Sequence, residues 1–187
     1  MSDYQFINNY LEDFSQLLKP NDEIIESLIQ IRDILLDAKK NRKKVLIFGN
    51  GGSSAIASHF TVDMTKNFNL PCLNFNEAAL ITCFANDYGY EHWVEKAVEF
   101  YGDDGDLIIL ISSSGNSENI VNAARVAKQL GIGIITFTGF KQDNPLKQEG
   151  NLNFWVDSRA YNIIENTHQI WLLMVCDLII GKAEYSA

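Results

Sequence analysis

Val45-Leu46-Ile47-Phe48-Gly49-Asn50-Gly51-Gly52-Ser53-Ser54 decides the fold. A short apolar run bounded by Lys43 and Lys44 on one side and by glycines on the other has the pattern of a strand buried in a parallel sheet. The small polar loop after it leads into a helix predicted to reach about Lys66. The same sentence of sequence returns further on. Gly102-Asp103-Asp104-Gly105-Asp106 makes a turn, Leu107 to Ile111 a strand, and Ser112-Ser113-Ser114-Gly115-Asn116-Ser117 a second polar loop before a helix through Leu130.

Working outward, Pro71 to Phe75 reads as a strand, Ala78 to Phe84 as a short helix and Tyr90 to Tyr101 as another. Ile132 to Thr138 and Leu152 to Val156 complete the strands, and an apolar helix from about Tyr161 to Ile180 stops at Gly181. Strands alternating with helices predict an α/β three-layer sandwich with a five-stranded parallel sheet. Ahead of it, Tyr4, Ile7, Tyr10, Leu11, Phe14, Leu17 and Leu18 recur at helical spacing until Pro20-Asn21-Asp22. Ile24, Leu28, Ile31 and Leu35 form the next stripe, widened by Ile25, Ile29, Ile34 and Leu36. Residues 1–40 therefore read as a helical hairpin that packs on its own domain or on another subunit.

The chain of 187 residues is long enough for one full core, and no repeat or linker divides it, so 1–187 is read as a single domain. Its net charge of −9, from 15 basic and 24 acidic residues, argues against nucleic-acid binding. The longest uncharged apolar run, Ile170 to Cys176, falls well short of the ~18 residues of a membrane span. MSDYQFINNYLEDF carries no basic n-region, so no signal peptide is expected. Cys72, Cys83 and Cys176 are an odd number without ligand spacing, as in the reduced thiols of a cytoplasmic protein.

Ligands of such sheets bind beyond the carboxyl ends of the strands, where helix N-termini present free N–H groups. Loops 49–54 and 112–117 both occupy that place, with glycines for close approach and hydroxyls for an anion. A dinucleotide fingerprint is excluded because Ser54 stands where its third glycine belongs, and a Walker loop because neither loop holds a lysine. What remains is a single phosphate on a small molecule, held by hydroxyls, amides and the helix dipole.

These blocks resemble the sugar isomerase (SIS) family, in its phosphoheptose isomerase branch, over nearly the whole chain. The resemblance is carried by GNGGSSAIASHF at 49–60, AND at 85–87 followed by YGY, ISSSGNS ending at 117, and the closing helix. It implies a flavodoxin-like SIS fold, a phosphorylated sugar as substrate, a homo-oligomer of the tetrameric kind and sugar-phosphate contacts from Ser53, Ser112, Ser113, Ser114 and Ser117. It further implies sugar contacts from Asn50, Gly51, Gly52, Asn86 and Asp87.

Members carry a His and a Glu four residues apart on the helix after the first loop, where this chain has His59 and Asp63. Their last helix carries a Gln and, eight residues on, a His that is acid and zinc ligand; Glu165 and Leu173 stand at those positions here. His168 matches another histidine of that helix. An aldose–ketose isomerisation through an enediol needs a base at carbon and an acid or metal at oxygen. Asp63 suits the base and His168 the acid, while His59, Asp63 and Glu165 are three possible zinc ligands. Against these stand a His59 merely bonded to Asp63, a core or interface His168 and a Glu165 in an ion pair. Two functions are expected from this: an isomerase of sedoheptulose 7-phosphate, or a non-catalytic sugar-phosphate sensor or scaffold like the branch that associates with a replication initiator.

Overall fold

The two apolar runs that precede the polar loops lie side by side. In a computed structural model that describes residues 1–184, β1 (Val45–Gly49) pairs in parallel with β3 (Leu107–Ser112), Val45 opposite Leu107 and Gly49 opposite Ile111. β2 (Cys72–Leu73) lies on the other side of β1, and β4 (Gly133–Thr138) and β5 (Leu152–Trp155) continue from β3. The order β2-β1-β3-β4-β5, all parallel, is the flavodoxin-like one expected. From β1 the chain steps first to β2 and then back across to β3, so the order reverses between β1 and β3. That switch point opens a crevice at their carboxyl ends, and both polar loops face it.

The helices follow the sequence with few exceptions. α1 (Asp3–Leu18) starts at a capping box between Ser2 and Gln5, and α2 (Asp22–Lys40) starts where the Asn21 side chain accepts from the Ile24 amide at 2.9 Å. α3 (Gly52–Lys66), α4 (Ala78–Tyr88), α5 (Trp93–Tyr101) and α6 (Glu118–Gln129) follow, and α8 (Tyr161–Ile180) ends at Gly181 in the left-handed conformation. A short α7 (Pro145–Glu149) was not expected; Asn144 caps it and Pro145 opens it. β2 is shorter than the Pro71–Phe75 strand read from the sequence. The Asn74 side chain accepts from the Asn76 amide at 3.0 Å and Phe75 turns to a φ of 54°, which carries the chain off the sheet.

Both faces of the sheet are covered. Ile47, Ile109, Phe137 and Phe154 pack against α2, α3 and α8, whereas Leu46, Phe48, Ile108 and Leu110 pack against α5 and α6. α8 has the length and apolar composition of a membrane-crossing helix, yet Ile164, Trp171, Leu172, Val175 and Cys176 are buried in the core. The turn before β3 is held by charge: Asp106 is buried and pairs with Lys44, while its two oxygens accept the Lys44 and Asp103 amides at 3.0 and 2.9 Å.

The N-terminal hairpin divides the two expectations for it. Leu28, Ile31 and Leu35 of α2 are buried in the domain's own core. α1 buries no residue at all, and Tyr4, Phe6, Ile7, Leu11, Ile25, Ile29 and Leu36 are exposed.

Candidate functional site

A cavity of about 120 Å³ lies at the switch point, lined by Asn50, Ser53, Ile111, Ser112, Ser113, Ser114, Ser117, Tyr161 and Glu165. Larger hollows of about 670 and 600 Å³ run along α2 and beside β5, but neither includes loop 49–54 or loop 112–117. The small cavity is where the chemistry converges. It is below the ~300–1,000 Å³ of an ordinary small-molecule site, so it suits a phosphate with the rest of its molecule extending outward.

Each loop is bent to expose donors. Gly51 sits before α3 with a φ of 55°, which only a residue without a Cβ adopts easily, and no side chain caps that helix start. Ser117 stands at the cap position of α6 yet does not cap it; its oxygen accepts from the Ser112 hydroxyl at 3.0 Å. Ser114 Oγ accepts from the Asn116 amide at 3.2 Å, and buried Ser113 Oγ has no hydrogen-bond partner in standard geometry. The hydroxyl protons of Ser114 and Ser117 therefore remain for a ligand, in front of two helix N-termini, while Ser113 faces Glu165. Behind the loop, buried Asn144 donates to Lys141 O at 2.8 Å and accepts from the Lys147 amide at 2.9 Å. Ser114→Ala and Ser117→Ala should each weaken phosphosugar binding by about 1 kcal/mol, measured by calorimetry. Unchanged affinity in the double variant would contradict a phosphate role.

Glu165 faces the serines from α8. It packs over Gly52 so closely that a Cβ there would overlap its carboxyl. Burial pushes its pKa up, and the nearby Ser113 hydroxyl offsets part of that rise. The group thus holds its proton to higher pH than an exposed glutamate.

The remaining sequence candidates are spread out. His59 and Asp63 sit one turn apart on α3, 3.9 Å from each other, with His59 Nδ1 3.3 Å from Gln169 Nε2 on α8. Neither lines the cavity. The three candidate zinc ligands do not converge either: among the described residues no group of three His, Cys, Asp or Glu is placed to hold a metal. The donor set does not fit zinc within one chain. His168 is corrected from candidate acid to core histidine. It has no exposed surface, its Nε2 lies 3.1 Å from Thr138 O, its Nδ1 is buried without a partner, and burial pushes its pKa down to about 4. A ring so enclosed is neutral and cannot reach a substrate. Asn86 and Asp87 are exposed at the end of α4 and hydrogen-bond each other at 2.8 Å.

Tyr161 and Ile111 of the lining were not singled out from sequence, nor was Asn119, which is buried behind the cavity and exchanges two amide hydrogen bonds of 3.0 Å with Asn50. Tyr161 was readable only as a helix start. Asn119 follows the serine loop by two residues and is indistinguishable in sequence from an ordinary first-turn residue.

The SIS domain family model matches residues 6–139. The phosphoheptose isomerase of Fusobacterium nucleatum is 34% identical over 185 residues, spanning 95% of this chain and 93% of that protein. The chain belongs to the SIS domain family, in its phosphoheptose isomerase branch. Solved structures agree with that membership. A phosphoheptose isomerase from Francisella tularensis superposes with a TM-score of 0.87 at 29% identity, covering 97% of this chain and all of that one. One from Neisseria gonorrhoeae does so at 0.86 and 26%, over 96% of this chain. Within this SIS domain the serine loop lies at the switch point, where the order of the sheet puts a ligand.

Proposed function

We propose that the protein is a phosphoheptose isomerase that interconverts sedoheptulose 7-phosphate and an aldoheptose 7-phosphate through an enediol. One observation carries the reading: a chain alike from end to end to phosphoheptose isomerases has serine hydroxyls and the Glu165 carboxyl, whose pKa burial raises, in one cavity. The phosphate binds the hydroxyls of Ser53, Ser114 and Ser117 and the amides of Gly51 and Gly52, with Ser112 supporting Ser117 and Ser113 facing Glu165, and this fixes the sugar by its far end. Glu165, in the protonated form that burial favours, gives its proton to the carbonyl oxygen as a carbon-bound proton leaves. Asp63, the sequence candidate for the base at carbon, lies eleven residues or about 16 Å along α3 from Gly52 and does not line this cavity, so the base role is not assigned to it within one chain. The aldose forms when the enediol takes a proton at the neighbouring carbon and the hydroxyl that becomes the aldehyde oxygen gives one up. Asn86 and Asp87 remain contacts for the outer hydroxyls.

The test is incubation of the purified protein with sedoheptulose 7-phosphate, followed by NMR. An aldose signal is expected; none with any heptose or hexose phosphate would reject the enzyme. The sensor or scaffold alternative draws no support from the relatives, which are isomerases by name. The three cysteines are all free among the described residues, which supports a cytoplasmic setting.

Copies of the chain associate through the N-terminal hairpin, most simply as a tetramer. Exposed Tyr4, Phe6, Ile7 and Leu11 form a continuous apolar face on a helix that buries nothing in its own subunit. Light scattering at micromolar concentration should give a mass of several chains, and Ile7→Glu with Leu11→Glu should lower it. A monomeric unmodified protein would contradict this. Leu28 is unsuitable for that test, because a charge there enters the core.

A further inference from the structure

Asn50 has almost no hydrogen-bonding capacity left. Its Oδ1 accepts from Asn119 Nδ2 at 3.0 Å and from the Tyr90 hydroxyl at 2.9 Å, and its Nδ2 donates once to Asn119 Oδ1 at 3.0 Å. A side-chain amide has two acceptor sites and two donor protons, so one N–H remains. Asn50 lines the cavity, whereas Tyr90 does not and is 54% exposed. Tyr90 lies in the connection between α4 and α5, whose next residue is tied to α6 by Asn122 Nδ2 donating to Glu91 O at 3.1 Å. The first loop, the first turn of α6 and this connection thus meet at one amide.

We propose that Tyr90 is a positioning residue for the sugar: with Asn119 it holds the Asn50 amide so that its one free N–H meets an oxygen of the bound phosphosugar. The ligand group at that point is an acceptor, a carbonyl or hydroxyl oxygen near the phosphate, because no acceptor site remains on Asn50. This deepens the isomerase reading and rests on its phosphosugar site, but it concerns binding and not turnover.

The experiment compares the unmodified full chain with Tyr90→Phe, which keeps the ring and removes only the hydroxyl. Calorimetry with sedoheptulose 7-phosphate and, separately, with inorganic phosphate is the readout. The variant should bind the phosphosugar about fivefold more weakly, the scale of one hydrogen bond, and inorganic phosphate equally well. Its thermal midpoint should not move, since Tyr90 is largely exposed. Equal phosphosugar affinity in both proteins overturns the proposal, as does a parallel loss for both ligands, which would mark a merely structural effect. An unmodified chain that holds the phosphosugar no better than inorganic phosphate overturns it too. A chain that binds the phosphosugar with this split yet never turns it over would reject the isomerase and uphold Tyr90.

Discussion

Glu165→Gln is expected to lower turnover of sedoheptulose 7-phosphate by at least ~100-fold, the lower end of what general acid–base catalysis contributes. Glutamine keeps the shape over Gly52 and removes the only carboxyl among the residues lining the cavity. The pH profile identifies the role. An acid must be protonated, so activity that depends on Glu165 falls as pH rises through its raised pKa, and the variant should lose that alkaline limb. The folded pKa lies above the unfolded one, so the carboxyl's contribution to stability is full below the unfolded pKa and is lost as pH rises through the folded value. At neutral pH the amide therefore has no charge to desolvate, and the thermal midpoint of Glu165→Gln should be no lower than that of the unmodified protein. A variant with full activity, or one that unfolds, would contradict the assignment.

Gly115→Ala should lower stability by about 2–4 kcal/mol and abolish measurable phosphosugar binding. Two effects add. Gly115 has a φ of 66°, which costs a residue with a Cβ, and that Cβ would overlap the Asn144 side chain. Asn144 cannot yield: besides its bonds to Lys141 O and the Lys147 amide, its Nδ2 lies 3.2 Å from Thr138 Oγ1, and the side chain is buried. The strain is relieved only by moving loop 112–117, which carries the hydroxyls for phosphate. Denaturant unfolding and calorimetry measure the two halves. Retained affinity would show that the serines do not hold the anion.

Much of the fold was legible because it is written in short-range pattern. Val45–Phe48 and Leu107–Ile111 are apolar runs punctuated by small polar residues, and such runs have one stable place, the middle of a covered parallel sheet. The serine loop was legible for the same reason. β2 and α7 were not, since an Asn74 turn cut the one short and a cap of two residues sufficed for the other. Leu28 and Ile29 are neighbours in a broad apolar stripe, and only the packing of α2 shows that the first is core and the second exposed.

The site separates along the same line. Sequence by itself determined the parallel α/β class, the two strand-end loops and the serine hydroxyls, because helix and strand periods and glycine's lack of a Cβ act within a few residues. Tertiary structure alone decided where each titratable side chain lies and what it touches. His168 and Glu165 lie one turn apart on α8, yet the first is enclosed beneath Thr138 and the second meets the serines across Gly52. Tyr90 and Asn50 are forty residues apart and joined by one hydrogen bond. Burial and long-range hydrogen bonds set protonation and reach, and both depend on which elements the whole sheet brings together.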